Sequence, residues 1–283
     1  MIPAPFDYAA PTSVADALSL LREHGDEAKI LAGGQSLIPV LRLRLNAPSM
    51  VVDLGKIDTL RSITDDGDTI TIGSMAPYAD VLASELVAEH AAVLRHAVAE
   101  VADPQIRRRG TVGGALVHAD PAGDVGAPAM CLDAEMLITG AGGDRSVSIH
   151  DFFEGFFTTA VGEDEILTGI RIPKLTGWGA TYEKFVRVQH QWSICAVAAT
   201  VKMDGDQIAE ARIGLTNMGQ TPMRATAVEE ALVGGDVSPE RVARAAAKAA
   251  EGTDPPSDLN GDADYRRHLA TVLTRRAVLA AAG

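Results

Sequence analysis

The chain has few of the residues that several common kinds of protein require. Aromatic residues make up only 4% of its 283 positions, too few for the stacking surfaces with which many proteins hold nucleic acid. Lysine and arginine total 25 against 38 aspartates and glutamates, and the resulting net charge of −13 also opposes a general polyphosphate-binding surface. A phosphate group would therefore have to be held locally, by backbone amides and a few side chains.

Cysteines and long apolar runs are equally scarce. Cys131 and Cys195 are the only two cysteines and stand far apart, so this chain alone provides neither a cysteine-based zinc site nor a cysteine-ligated iron–sulfur cluster. We expect both to be buried apolar residues. No apolar stretch reaches about 18 residues, and "MIPAPFDYAAPTS" lacks a basic region followed by an apolar core, so we expect a cytoplasmic protein without a membrane span.

The first half of the sequence alternates between helix and strand patterns. "TSVADALSLLREHG" begins with a capping box, Ser13 with Asp16, and its helix is predicted to end at Gly25. Asp66-Gly67 lies between alternating apolar residues and predicts a hairpin. Apolar residues at helical spacing over 78–102 predict two helices. This half is therefore predicted to be α+β.

The second half continues with strands and ends in helices. "DEILTGIRIPKL" and "GATYEKFVRV" have the composition of strands, and a following hairpin is predicted to turn at Asp204-Gly205. Three helical segments come after it, the last being "DYRRHLATVLTRRAVLAAA". This order predicts a separate sheet-and-helices unit at the carboxyl end.

Two glycine pairs stand out from these patterns. In "ILAGGQSLIPVL", Gly33 and Gly34 follow a predicted strand, and in "RRRGTVGGALVH", Gly113 and Gly114 follow Thr111. Neither is G-x-G-x-x-G or G-x-x-x-x-G-K-[ST], which disfavours a Rossmann dehydrogenase and a P-loop ATPase. Two strand-to-turn glycine pairs on different lobes could clamp one elongated diphosphate through their N–H groups. The alternative is two unrelated turns.

Other candidate residues favour no second chemistry. His118 and Asp120 have no third ligand at a sensible spacing, so we predict no metal site. The run 107–109 is three arginines, which suits a solvated loop, a contact to an acidic partner or a counter-charge for a pyrophosphate. G-x-S-x-G, H-E-x-x-H and paired-carboxylate signatures are absent. Any difficult chemistry would therefore belong to a cofactor.

Four segments resemble one family. "AGGQSLIPVLRLRL", "RRRGTVGG", "HADPAGD" and "YRRHLATVLTRRA" look like the FAD-binding medium subunit of the molybdenum hydroxylases, the xanthine oxidase and aerobic carbon-monoxide dehydrogenase group. The resemblance covers nearly the whole chain in the right order. It implies a two-lobed FAD-binding domain of the para-cresol methylhydroxylase and vanillyl-alcohol oxidase type, followed by a C-terminal domain. Val112 and Ala115 depart from the commoner T-I-G-G-N, and Ala115 removes any side-chain hydrogen bond from its place.

The resemblance also implies which residues hold FAD. The first glycine loop would wrap the pyrophosphate, with Gln35 and Ser36 adding side-chain donors, and the second would complete the cradle. Asp124 would accept from cofactor hydroxyls or, alternatively, only form a turn. Lys184 would act through its charge, and Trp192 would lie near the isoalloxazine or serve as an interface or lid residue. The complete set is Ala32, Gly33, Gly34, Gln35, Ser36, Val101, Thr111, Gly113, Gly114, Ala115, Asp124, Leu167, Lys184 and Trp192.

The implied organisation and function follow the family. The lobes would span 1–56 and 57–176, with the C-terminal domain at 177–283. FAD would be bound non-covalently and would carry electrons from iron–sulfur clusters on a small subunit to an external acceptor, a quinone or other carrier rather than NAD. A large subunit would hold the molybdenum cofactor in an (αβγ)2 assembly. Nucleic acid is not an expected partner.

Two alternatives from other classes remain at this stage. A stand-alone FAD enzyme of the same fold, such as UDP-N-acetylenolpyruvoylglucosamine reductase or an alcohol oxidase, would turn over its own substrate. A flavin-free assembly subunit would keep the glycine turns without the cofactor. The substrate of a complete complex also stays open among carbon monoxide, a purine, an N-heterocycle and an aldehyde.

Overall fold

The computed structural model describes residues 2–283 and consists of three successive units of sheet and helix. The strands are β1 Asp7–Ala9, β2 Ala28–Leu31, β3 Met50–Asp53, β4 Ile63–Asp65, β5 Thr69–Gly73, β6 Glu135–Gly140, β7 Gly143–Ser148, β8 Phe153–Gly155, β9 Thr158–Thr159, β10 Glu165–Pro173, β11 Gly179–Phe185, β12 Cys195–Asp204, β13 Gln207–Thr216 and β14 Met223–Arg224. The helices are α1 Val14–His24, α2 Leu37–Leu43, α3 Tyr78–Ala83, α4 Glu85–His90, α5 Ala92–Ala99, α6 Pro104–Arg107, α7 Val112–His118, α8 Gly126–Cys131, α9 Ile149–Phe152, α10 Thr226–Leu232, α11 Pro239–Ala246 and α12 Ala263–Ala282.

The first unit is a small parallel sheet in the order β1-β3-β2, with α1 packed on it. Helix α1 begins as predicted, because the Asp16 amide donates to Ser13 Oγ at 3.1 Å, and it ends at Gly25, whose φ is 55°. Apolar residues of α1 and β3 form its core together with Met75 and Ile166 from the second unit. The first unit is therefore packed directly against the second.

The second unit is an antiparallel five-stranded sheet in the order β4-β5-β10-β6-β7. The hairpin predicted at Asp66-Gly67 is confirmed as β4–β5. The prediction of two helices over 78–102 is wrong, since three short helices, α3 to α5, occupy that stretch. Ser84 ends α3 and caps α4 by accepting from the Val87 amide at 3.3 Å, a break that helical periodicity alone does not reveal.

The third unit is the antiparallel sheet β11-β12-β13-β14 with α10, α11 and α12. The predicted strands, the hairpin near Asp204-Gly205 and the three final helices are all confirmed. Residues 195–201 of β12 are buried throughout. Cys195, Val197, Ala199 and Val201 pack in the core beneath α12, whereas Ala196 and Ala198 pack in the core of the second unit.

This alternation joins the third unit to the second, because successive side chains of a strand point to opposite faces of the sheet. Cys131 and Cys195 are both buried, as the sequence predicted, and both are free thiols. Burial raises the pKa of each thiol to about 12, so both remain protonated at neutral pH. The described residues include no helix that is long and apolar enough to cross a membrane.

Candidate functional site

One cavity of about 640 Å³ lies where the three units meet. Its volume is in the range of roughly 300–1,000 Å³ that is usual for small-molecule and cofactor sites. The first unit contributes the loop after β2, the second contributes the start of α7 and one end of β10, and the third contributes the loop before β12. Except for Lys184, every residue suggested by the sequence lines this cavity: Ala32, Gly33, Gly34, Gln35, Ser36, Val101, Thr111, Gly113, Gly114, Ala115, Asp124, Leu167 and Trp192.

The first glycine loop joins the end of β2 to the start of α2. Gly34 has a φ of 74°, a left-handed conformation that glycine adopts without the penalty of a side chain. Within residues 2–283, the backbone N–H groups of 33–36 donate no hydrogen bond. The Gln35 side-chain amide donates to the Gly33 carbonyl at 2.8 Å. The loop therefore offers a run of free backbone donors, while one predicted side-chain donor is already engaged.

The two glycine loops pack against each other. A Cβ on Gly33 would stand 2.2 Å from the Arg109 carbonyl oxygen and 2.7 Å from Gly110 Cα, and one on Gly114 would stand 3.1 Å from Ala32 Cβ. Contacts below 3.0 Å with backbone cannot be relieved by turning a flexible side chain. Glycine at position 33 is thus required by the close approach of the second lobe.

The second glycine pair departs from the prediction of a strand-to-turn motif. It lies in the first turn of α7, and Thr111 caps that helix by accepting from the Gly114 amide at 3.1 Å. The Gly113 amide donates to the Ser74 carbonyl, and the Ala115 amide donates to the Thr111 carbonyl. These three amides are engaged within the protein, so the second loop provides a close-packed wall rather than the free N–H groups that the sequence suggested.

Ser74 is a cavity residue that the sequence analysis missed. It follows the end of β5, is only 4% exposed, and is fixed by its backbone because its amide donates to the Thr168 carbonyl at 3.1 Å. Its Oγ is buried and has no hydrogen-bond partner within the described residues. A buried hydroxyl without a partner is costly unless a ligand or water satisfies it. A lone serine after a strand has no distinguishing sequence signal.

Asp124 is the most heavily bonded polar residue of the cavity wall. Its carboxylate accepts from Tyr182 Oη, Ser193 Oγ and Lys184 Nζ, each at 2.8 Å. The turn that the sequence allowed Asp124 to form is instead made by Asp120, whose carboxylate accepts from the Ala122 amide at 2.9 Å. The hydroxyls that donate to Asp124 belong to the third unit, whereas the resemblance implied hydroxyls of the cofactor.

Lys184 lies behind this carboxylate rather than on the cavity surface. Its side chain is 3% exposed, and its ammonium group also donates to the Glu100 carbonyl at 3.1 Å. Burial together with the Asp124 charge raises the pKa of Tyr182 well above its usual value, which keeps its hydroxyl a neutral donor. The lysine charge is therefore used to balance Asp124, in contrast to the direct cofactor contact that the resemblance implied.

The remaining wall is largely apolar. Leu167 is buried on β10, where the pairing with β6 shifts register between Leu167 and Gly169. His118 and Phe157 line another part of the cavity, with ring centroids 5.0 Å apart. Partial burial lowers the pKa of His118, so its imidazole is neutral at pH 7. Within residues 2–283, no group of three His, Cys, Asp or Glu side chains could hold a metal ion.

The arginine run divides into two environments. Arg107 donates to the Ala99 and Val101 carbonyls, at 3.2 and 2.7 Å, and so closes the end of α5 beside the cavity residue Val101. Arg108 and Arg109 are exposed. The interpretation of a solvated loop therefore describes only its last two members.

The cavity fits the groups that FAD presents. Free backbone donors beside Gly34 suit a pyrophosphate, the unpaired Ser74 hydroxyl suits a phosphate oxygen or a ribityl hydroxyl, and apolar surface at Leu167 and Trp192 suits a flavin ring. These groups belong to different units of the chain. The cavity can therefore accommodate an elongated ligand that is polar in one part and aromatic in another.

Comparison with known proteins agrees with this fit. Residues 4–175 match the family described as "FAD binding domain in molybdopterin dehydrogenase", and residues 180–281 match "CO dehydrogenase flavoprotein C-terminal domain". The carbon monoxide dehydrogenase medium chain of Afipia carboxidovorans is 40% identical, the alignment covering 98% of this chain and 97% of that protein. The glyceraldehyde dehydrogenase medium chain of Sulfolobus acidocaldarius is 35% identical, with 98% of each chain covered.

Solved structures show the same relationship. A chain of carbon monoxide dehydrogenase from Hydrogenophaga pseudoflava superposes with a TM-score of 0.96 at 39% identity, covering 99% of this chain and 98% of that chain. The chain belongs to the family of FAD-binding medium subunits of the molybdenum hydroxylases, which confirms the resemblance and the predicted fold class. It is an FAD-dependent oxidoreductase subunit of the carbon monoxide dehydrogenase and xanthine dehydrogenase type.

Ser74 gives a direct test of the cavity. We expect Ser74→Ala to raise the dissociation constant for FAD roughly 3- to 10-fold, the effect of losing one hydrogen bond. The apoprotein should unfold at the same or a slightly higher temperature, because Ser74 Oγ bonds to nothing else in the described chain and its removal relieves the cost of burying an unpaired hydroxyl. FAD titration and thermal unfolding of the two proteins measure these quantities.

Ser62→Ala provides the control, since Ser62 Oγ donates to the Thr59 carbonyl and does not line the cavity. Its affinity for FAD should equal that of the unaltered protein. An unchanged affinity in Ser74→Ala would show that the hydroxyl does not contact the cofactor.

Proposed function

We propose that this chain carries electrons from iron–sulfur clusters of a partner subunit, through FAD, to an external acceptor. The observation that supports this proposal is the cavity at the junction of the three units, with its free loop amides and unpaired Ser74 hydroxyl. The chain's two cysteines are buried and too few for an iron–sulfur cluster. The proposed iron–sulfur electron donor therefore lies on another chain.

The residues that line the cavity would hold the cofactor. The 33–36 amides would bind the pyrophosphate, Ser74 would donate one further hydrogen bond, and Leu167 and Trp192 would pack against the flavin. Lys184 would act indirectly by neutralising Asp124. FAD supplies the ability to exchange electrons both singly and in pairs, while the protein binds it, orients it and excludes water.

The division into domains follows the three units. We place the boundaries at 1–56, 57–176 and 177–283, since strands β1–β3 fall in the first range, β4–β10 in the second and β11–β14 in the third. Each range contains its own sheet or sheets. The cavity wall draws residues from all three, so none of them alone forms the proposed site.

The working unit would be a cytoplasmic (αβγ)2 complex. A large subunit would hold the molybdenum cofactor and a small subunit the iron–sulfur clusters, with this chain as the medium subunit. A quinone or another carrier is proposed as the acceptor in preference to NAD, because the sequence contains no G-x-G-x-x-G dinucleotide motif.

The cofactor is expected to be bound without a covalent link. When the yellow protein is precipitated with trichloroacetic acid, the flavin should stay in the supernatant, because denaturation abolishes a site assembled from three units. Absorbance of the two fractions measures the partition. Flavin retained in the pellet would instead favour the alcohol-oxidase alternative.

The need for partners has its own test. We expect the endogenous assembly to contain iron and molybdenum, to have the mass of a heterohexamer and to oxidise a substrate such as carbon monoxide or an aldehyde. After the subunits are separated, substrate oxidation should disappear, while this chain should still reduce a dye from an artificial reductant. A lone flavoprotein without either metal that turned over a substrate would contradict the proposal, and a colourless protein would favour the flavin-free assembly subunit.

A further inference from the structure

The loop over 186–194 carries Trp192 to the cavity. It connects β11 to β12, and its ends are tied by a hydrogen bond from the Ile194 amide to the Phe185 carbonyl at 3.0 Å. Trp192 lines the cavity and yet is 52% exposed, whereas the next residue, Ser193, is 1% exposed. The tryptophan therefore lies at the cavity mouth, directly beside a tightly held point of the chain.

Two residues of the third unit hold that point from inside. Asn217 Nδ2 donates to the Ser193 carbonyl at 2.7 Å and to the Ile194 carbonyl at 3.3 Å. An Arg266 guanidinium nitrogen also donates to the Ile194 carbonyl. The Asn217 amide also donates to the Pro121 carbonyl at 2.9 Å, so this anchor reaches the segment next to the cavity residue Asp120.

Arg266 is unusual for an arginine because it is only 1% exposed. It lies in the first turns of α12, and its other guanidinium nitrogen donates to Asp258 Oδ1 at 2.7 Å. Burying an arginine is unfavourable unless its charge and donors are satisfied. Here two guanidinium nitrogens have partners, one of them a backbone carbonyl two residues beyond Trp192, while Nε has no partner within the described residues. A smaller apolar side chain would remove this support and leave only Asn217 holding the Ile194 carbonyl.

The outer side of the loop is held by the same region of the chain. Gln191 Nε2 donates to Asn260 Oδ1 at 2.7 Å, and Gln191 Oε1 accepts from the Arg187 amide at 3.1 Å. Asn260 lies between Asp258 and the start of α12. The residues on both sides of Trp192 are therefore fixed by the segment over 258–266.

We propose that Arg266 and Asn217 are positioning residues that hold Trp192 over the mouth of the cavity, and that the tryptophan slows the escape of FAD. The inference rests on the proposed occupation of this cavity by FAD. The C-terminal domain thus acts on cofactor retention through one loop, without donating a direct ligand from α12. Trp192 supplies the contact, and the two polar residues supply its position.

The test is a cycle of substitutions in the FAD-loaded complex. We expect Trp192→Ala and Arg266→Met each to release FAD roughly 3- to 10-fold faster, the range of one aromatic contact. Release is measured as the FAD remaining with the protein after timed ultrafiltration. In the Trp192→Ala background, Arg266→Met should cause no further acceleration, because the two residues act as one unit.

Arg267→Met is the matched control, since this neighbouring arginine on α12 forms an ion pair with the exposed Asp264 at 3.0 Å and, within residues 2–283, with no other carboxylate. Its release rate should be unchanged. If Arg266→Met fails to fold, Asn260→Ala replaces it as the test variant. This substitution removes only the hydrogen bond from Gln191 to Asn260 and should accelerate FAD release only when Trp192 is present.

The outcomes separate this inference from the proposed function. An unchanged release rate in Trp192→Ala, or additive effects of the two substitutions, would overturn the positioning role while leaving FAD binding intact. Failure of the unaltered protein to retain any FAD would overturn the proposed function itself.

Discussion

Gly33→Ala is expected to leave the chain without FAD. The new Cβ would stand 2.2 Å from the Arg109 carbonyl oxygen and 2.7 Å from Gly110 Cα, so the backbones of the two lobes must separate. Overpacking of this kind costs about 1–3 kcal/mol of folding free energy. Because the free amides lie on the displaced loop, cofactor binding should be lost before folding is. The ratio of flavin to protein absorbance and the denaturant midpoint measure the two effects.

Gly142→Ala is the matched control for this substitution. Among the described residues no atom outside its immediate neighbours lies within 4 Å of the added Cβ, and the φ of Gly142 is not positive, so both FAD content and stability should be retained. Gly113→Ala should behave like Gly33→Ala, since its Cβ would meet Ser74 Cβ at 2.5 Å. A folded Gly33→Ala protein with full FAD content would disprove the requirement for close contact between the loops.

Asp124→Asn is expected to cause the largest loss of stability, because it leaves the Lys184 ammonium group buried without a counter-charge. The two side chains are 5% and 3% exposed and their charged atoms are 2.8 Å apart. Removing one partner of a buried ion pair typically costs about 3–5 kcal/mol. Urea unfolding of the two proteins under identical conditions measures the difference in the free energy of unfolding.

The exposed pair Lys202–Glu210 provides a matched comparison. These side chains are 50% and 48% exposed, and Lys202 Nζ lies 3.0 Å from Glu210 Oε1. Glu210→Gln should therefore lower the free energy of unfolding by less than about 1 kcal/mol. The double substitution Asp124→Asn with Lys184→Met should be less damaging than the sum of the single changes, because it removes both charges. Equal losses in Asp124→Asn and Glu210→Gln would show that burial does not strengthen the Asp124–Lys184 interaction.

The cavity was only partly predictable from the sequence. The glycine loops are visible in the sequence because glycine pairs interrupt its apolar patterns, whereas Trp192 is predicted only through the family resemblance; all of them line the cavity. Ser74 was missed because its significance depends on a hydroxyl left without a partner after three elements have packed around it. Lys184 was assigned a direct contact, but whether a lysine faces a cavity or a neighbouring carboxylate is decided by side-chain packing.

Local sequence signals determined the elements of this protein and much of their order. The Ser13 cap, the Asp66-Gly67 turn and the hairpin near Asp204-Gly205 act over a few residues, so their effects are visible in the sequence. Tertiary structure alone decided that the Gly113 and Gly114 amides at the start of α7 would donate to other groups of the protein. It also decided that both faces of β12 would be buried, with Val197 packed toward α12 and Ala196 toward the second unit. Such features depend on which distant backbones approach closely enough to share hydrogen bonds and exclude water, and no local pattern encodes that approach.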